Sequence, residues 1–206
     1  MGRGLFITFE GIDGCGKSTQ FNMLKEHIEA SGAPYIVVRE PGGTVIGEKI
    51  REILLNKKND KMTTRTELLL FEAARAQIVE EKILPALESG VTVLCDRFFD
   101  STIAYQGYAR GLGIDIVKNM NMYATGGLAP DATFLINLPI EVAVKRRVGR
   151  GEADDRMEAL GLKFQEDVAK GYLEAAKDCE RIKVIDGDRT PDEIFSEIKS
   201  IYEGLK

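Results

Sequence analysis

The run Gly11-Ile12-Asp13-Gly14-Cys15-Gly16-Lys17-Ser18 constrains this chain more than any other feature, because it fits G-x-x-x-x-G-K-[ST] at every fixed position. Its glycines let the backbone curl around an anion with successive N–H groups turned inward. A short apolar run, Leu5 to Phe9, precedes it, and a helical pattern follows from Ser18 to about Ala30, ended by Ser31-Gly32. A strand entering the loop and a helix leaving it would add the helix's positive end to a bound phosphate. Lys17 is then placed to reach β- and γ-phosphates, and Ser18 to offer its hydroxyl to Mg²⁺. The nucleotide cradle is expected to run from Gly11 to Thr19; a glycine-rich turn matching by chance is the bland alternative.

Further strands are expected at Tyr35 to Val38, Val91 to Cys95, Thr133 to Leu138 and Lys183 to Ile185. Between them, helical patterning covers about Val45 to Leu55, a long segment from Thr63 to Leu87 that frays at Pro85, and Ser101 to Ala124 with breaks at Gly107, Gly111 and Gly113. Helices are also expected at Glu141 to Val148, about Leu160 to Ala176, and from Pro191 onward, with Arg150 to Arg156 a charged loop. Apolar strands alternating with helices predict an α/β fold, a parallel sheet covered on both faces. One domain over residues 1–206 is the economical reading, since no repeat or low-complexity linker interrupts the pattern.

The net charge of −5 argues against a partner held by bulk electrostatics, so no nucleic acid is expected. No apolar run approaches a membrane span's length and no cleavable signal pattern precedes the first strand, so a cytoplasmic protein without membrane attachment is expected. Cys15, Cys95 and Cys179 are an odd number, widely spaced, and read as reduced thiols; the lone His27 cannot build a metal cluster. Cys15, lying among inward N–H groups before a helix, is expected to react faster than Cys95 and to be shielded by ATP, unless it merely fills a small slot. A GTPase would want N-K-x-D, and Asn56-Lys57-Lys58-Asn59 ends in the wrong residue and lies too early.

Four more segments stand in order with the phosphate loop: Arg39-Glu40-Pro41-Gly42-Gly43-Thr44, Phe71-Glu72-Ala73-Ala74-Arg75-Ala76-Gln77, Asp96-Arg97, and Ser101-Thr102-Ile103-Ala104-Tyr105-Gln106-Gly107. Together they resemble the thymidylate kinases, over essentially the whole chain. The resemblance implies a P-loop kinase fold with parallel strand order 2-3-1-4-5, ATP as phosphoryl donor and dTMP as acceptor. It implies that Phe71 stacks on thymine, against the alternative of a core phenylalanine in an apolar run. Arg75, one turn on, would donate to a base oxygen, or else be a solvated helix arginine. Ser101, Tyr105 and Gln106 would meet sugar and base, Tyr105 leaving no room for a ribose 2′-hydroxyl; packed or helix-end roles are the alternatives. Arg39 and Arg97 would hold the acceptor phosphate with their guanidinium forks. Asp96 would orient Mg²⁺ through water, or simply cap a helix. Asp13 would accept from the deoxyribose 3′-hydroxyl, or be a turn residue.

Lys145-Arg146-Arg147-Val148-Gly149-Arg150-Gly151-Glu152, leading into Asp155-Arg156, is the one dense basic cluster. The P-loop's variable positions carry no base, so the resemblance puts the catalytic arginine in a lid over about residues 146–158: Arg150 first, then Arg156 and Arg146. Arg146 and Arg147 also suit a plain helix C-terminus. With Lys17, Arg97 and Arg150 as the catalytic set, the expected chemistry is in-line transfer from ATP to dTMP. The resemblance further suggests a homodimer through helices around residues 45–88. The rivals are a kinase for another monophosphate or a nucleoside, separated by a substrate panel, and a nucleotide-binding module without catalysis.

Overall fold

The structure, a computed structural model, describes residues 2–148 and 156–206. Among these, β1 (Phe6–Glu10), β2 (Tyr35–Arg39), β3 (Thr92–Asp96), β4 (Ala132–Asn137) and β5 (Ile182–Asp186) form one sheet ordered β2-β3-β1-β4-β5, every pairing parallel. This is the order expected above. The three inner strands are buried almost throughout, whereas edge strands β2 and β5 are half exposed. That is why β1, β3 and β4 read as continuous apolar runs. Alternate residues serve opposite faces: Ile7, Phe9 and Leu94 join one core cluster, and Phe6, Val93 and Cys95 the other.

Helices α1 (Lys17–Ala30) and α2 (Val45–Leu55) lie close to their expected bounds, and α3 (Thr64–Ile78) opens where the long segment was expected to begin. Thr44 caps α2 and Thr63 caps α3, each accepting from a backbone amide three residues on. The long segment reaches Glu88, as far as expected, without fraying at Pro85. A π-helical turn, Val79–Ile83, widens the coil, and α4 (Leu84–Glu88) carries Pro85 in its first turn. The proline has no N–H to contribute, and Leu84 N–H instead donates to Val79, five residues back.

After α5 (Phe99–Thr102) comes a second π-helical stretch, Ile103–Ala109, so Gly107 lies inside a helix and is not the break expected of it. The break falls at Gly111 and Gly113, both at positive φ, before α6 (Ile114–Thr125). Then follow α7 (Ile140–Val148), a 3₁₀ turn (Glu158–Leu160), α8 (Leu162–Ala176) and α9 (Pro191–Glu203), the last opened by a Thr190/Glu193 capping box. At Gly171 an added Cβ would lie 2.8 Å from the Ala104 carbonyl oxygen, so only glycine lets α8 press onto the π-helical stretch. No helix of the described residues is long and apolar enough to cross a membrane.

Candidate active site

The site lies beyond the carboxyl ends of β1 and β3, where α/β sheets characteristically bind ligands. The loop after β1 is held from behind by α7: a Cβ on Gly14 would come within 2.2 Å of the Ala143 carbonyl oxygen. Gly16, at φ 97°, opens α1 with no side chain capping its first turn, so those amides are left for an anion. Lys17 is almost buried and ion-paired with Asp96, while Ser18 and Thr19 are exposed at the helix start. Burial opposes ionisation of Asp96, but Lys17 and then Arg97 outweigh it and hold the carboxyl below its usual range. Cys15 overturns the expectation placed on it. It is 1% exposed, and burial raises its thiol despite Lys17, so it fills a slot behind the loop.

A cavity of about 380 Å³ opens beside this loop, lined by Asp13, Lys17, Ser18 and Asp96 on one side and by Arg39, Phe71, Arg97, Ser101, Tyr105 and Gln106 on the other. Arg97 sits at φ 65°, a conformation unusual for a side-chain-bearing residue. Its Nη2 donates to Asp13 Oδ1 at 2.5 Å, and its Nη1 to the Gly11 carbonyl and the Tyr172 hydroxyl, each at 2.9 Å. Burial alone would lower its pKa, but Tyr105, Tyr172, Asp13 and Glu10 hold it well above the ordinary value. Arg39 is half exposed, its Nη2 donating to both Glu48 oxygens at 3.1 and 2.9 Å.

Phe71 lines the cavity from α3, and Tyr105 and Gln106 reach it from the second π-helical stretch. Arg75 does not line it. The guanidinium is 1% exposed and donates to Glu40, Glu72, Thr102 and Asn121. Here Arg75 braces the cavity wall through Glu40 and Thr102, which themselves line it, where a direct base contact was expected. Ser101 Oγ donates to Glu10 Oε2 at 2.7 Å and is 2.9 Å from the Tyr172 hydroxyl. An anion cradle and an arginine-lined pocket with an aromatic wall thus share one cavity, an arrangement suited to joining two phosphates.

A family model described as thymidylate kinase matches residues 9–198. The chain belongs to that family. It is 49% identical over 203 residues to a thymidylate kinase of Carboxydothermus hydrogenoformans, covering 98% of each chain. It is 50% identical over 201 residues to that of Thermosipho melanesiensis, again covering 98% of each. A third relative, from Caldanaerobacter subterraneus subsp. tengcongensis and also named thymidylate kinase, is 53% identical over 186 residues, 90% of this chain and 88% of that protein.

In this thymidylate kinase family member the three arginines expected of a lid fare differently. Arg150 lies outside the described residues. Arg146 is exposed and comes near the P-loop, its Nη1 lying 3.9 Å from where a Cβ on Gly16 would stand. Arg156 is buried: Nη1 pairs with Glu67 Oε2 at 2.7 Å and Nε donates to the Leu54 carbonyl at 2.5 Å. It fastens the chain at residue 156 to α2 and α3, and its neighbour Met157 lines the cavity.

Several site residues were not picked out from sequence. Arg51 lines the cavity beside Arg39, and both donate to the Pro41 carbonyl, at 3.0 and 3.1 Å. Glu10, fully buried, accepts from Phe98 N–H, Ser101 and Tyr172, and burial raises its pKa above the ordinary value against the pull of Arg97. A charged residue closing an apolar strand was its only signal; Tyr172, far away on α8, had none. For Mg²⁺ the donor chemistry fits: Asp96 is kept ionised and shares the cavity with the Ser18 hydroxyl, a hard-oxygen pair.

Proposed function

We propose that this chain transfers the γ-phosphoryl group of ATP to the 5′-phosphate of dTMP, giving ADP and dTDP. What carries the reading is that one cavity joins the P-loop residues Lys17 and Ser18 to the arginine and aromatic set of Arg39, Phe71, Arg97 and Tyr105. The loop amides and Lys17 bind the donor phosphates; Arg97, Arg39 and Arg51 bind the acceptor phosphate. Two anions that repel in water are thereby held close and in line, and positioning of this kind supplies most of the rate in phosphoryl transfer. No general base is required, because the attacking phosphate oxygen is already anionic. Ser18 and Asp96 would hold Mg²⁺, which when bound neutralises charge on the donor phosphates.

Phe71 offers an apolar face to thymine, and Gln106 a polar contact to its edge. Arg75 serves the base by holding Glu40 and Thr102 in the wall. Tyr105, 8% exposed and packed edge-on against Phe164 and Tyr172, leaves a 2′-hydroxyl no room. Asp13 and Ser101 bound the sugar, and Arg150 in the lid, supported by Arg146, stabilises charge on the migrating group. We also infer a homodimer built on α2 and α3 with α6 beside them. Val45, Ile46, Ile53, Leu69, Ile116, Met122 and Tyr123 on these helices are exposed apolar residues, the chemistry a second copy would cover. A cytoplasmic setting accords with three unpaired cysteines.

The test is a coupled ADP-release assay with ATP and dTMP, dUMP, dCMP, dGMP and AMP in turn. Turnover should be highest with dTMP; no release with dTMP would overturn the reading. Sedimentation of the free protein checks the dimer.

A further inference from the structure

Glu67 lies in the first turn of α3 and is 1% exposed. A carboxylate so deeply buried stays charged only if donors surround it. Gln106 Nε2 donates to its Oε1 at 2.9 Å, Arg110 Nε to the same oxygen at 3.2 Å and Arg110 Nη2 to Oε2 at 3.0 Å. Arg156 Nη1 completes the set on Oε2 at 2.7 Å. Burial pushes the carboxyl up, but the hydrogen bonds from Arg110 and Gln106, the Arg110 charge and Arg156 prevail and keep it below the usual carboxylate range.

An ionised carboxylate has no proton to give; it only accepts. The end of the Gln106 amide that faces Glu67 must therefore be its NH₂, and the carbonyl must turn the other way. Gln106 lines the cavity. A glutamine facing only solvent or neutral partners could present either end; this one cannot.

We propose that Glu67 is a positioning residue for base choice: by capturing the NH₂ of Gln106, it makes the cavity present a hydrogen-bond acceptor to the edge of the base. A keto pyrimidine, whose ring N3 carries a hydrogen, is matched. Cytosine, whose N3 is a bare acceptor, meets oxygen against lone pair and is refused. Stacking on Phe71 does not make this distinction, because both rings present the same flat face. Arg110 and Arg156 contribute by keeping Glu67 ionised, so the buried charge is spent on the orientation of a neutral amide.

The inference rests on the cavity being a pyrimidine monophosphate site, and the experiment separates the two. Measure kcat/KM for dTMP, dUMP and dCMP in the wild-type enzyme and in Glu67→Gln. A glutamine at 67 can accept or donate, so Gln106 becomes free to flip. The preference for dTMP over dCMP should then narrow by about tenfold, the worth of one hydrogen bond made or missed. The ratio of dTMP to dUMP should hold, since both carry N3–H. A uniform loss on all three substrates, ratios intact, would mean that Glu67 only supports the fold and would overturn the proposal. A wild-type enzyme active on dTMP and dCMP alike overturns it too, while leaving the kinase reading standing; one inactive on dTMP overturns both. Should Glu67→Gln fail to fold, wild-type protein labelled with ¹³C and ¹⁵N in glutamine gives the answer. Adding dTMP should shift the Gln106 side-chain carbonyl carbon and leave its NH₂ resonances nearly still; the reverse pattern would refute the orientation.

Discussion

Arg75 Nε donates to Glu40 Oε2 across 2.9 Å with both side chains sealed from solvent, and Glu72 brings a second carboxylate to the same guanidinium. One cation between two buried acids neutralises only one of them. Burial accordingly pushes Glu40 up to about 7, against the pull of Arg75. Below the ordinary value of 4.5 both folded and unfolded chains hold this proton, and the group is neutral toward stability. As pH rises from there to about 7, the unfolded chain ionises first, so the folded state loses stability, by at most about 1.4 kcal/mol per pH unit. Glu40→Gln should flatten that decline. Urea unfolding of both proteins from pH 5 to pH 8 checks it; identical slopes would dismiss Glu40 as the source.

Arg156 and Arg150 should separate by which property they change. Arg156→Ala strips a cation from the buried Glu67, and breaking such a pair typically costs about 3–5 kcal/mol, so thermal stability should fall clearly. On the proposed role of Arg150 in stabilising charge on the migrating group, Arg150→Ala should lower kcat and kcat/KM together by about 10². Steady-state kinetics beside melting curves would show the split. If Arg156→Ala is as stable as wild type, the buried ion pair is not what it holds.

Tyr105→Ala should relax the sugar preference more than the base preference. A missing base methyl changes discrimination by about 1–3 kcal/mol in an apolar pocket, whereas a 2′-hydroxyl against Tyr105 meets both a steric conflict and an unmatched polar group. Competition between dTMP and ribo-TMP in both proteins is the measurement. Equal competition in the wild type would remove this role from Tyr105.

Alkylation of the native protein should modify Cys179 first. Cys15 and Cys95 are buried, and burial raises both thiols above their ordinary value, whereas Cys179 is half-buried. ATP should therefore change the labelling of Cys15 little. Peptide mapping after a brief exposure, with and without nucleotide, tests the order; rapid labelling of Cys15 would mean that the loop opens far more than its packing against α7 suggests.

The P-loop, the five strands and most helix bounds were legible because they rest on short-range physics. Gly11 to Ser18 is a local pattern of backbone freedom and charge, and the apolar runs of β1, β3 and β4 record burial on both faces of a sheet. The cavity's Arg39, Phe71, Arg97 and Tyr105 were legible as segments placed at strand ends and on helices. Where local patterning failed, a turn of π-helix had absorbed what looked like a fraying end at Pro85 and a break at Gly107.

Which charges face a substrate and which are spent inside the protein was decided only by the tertiary structure. Arg75 and Arg156 read in sequence as ligand arginines, yet each is buried against carboxylates from other segments. Tyr172 meets Glu10 across 162 residues of chain, and Gln106 is oriented by Glu67 across 39. A residue's type says what bonds it can make. Who makes them depends on which distant groups the packed core brings within 3 Å, and no spacing along the chain carries that distance.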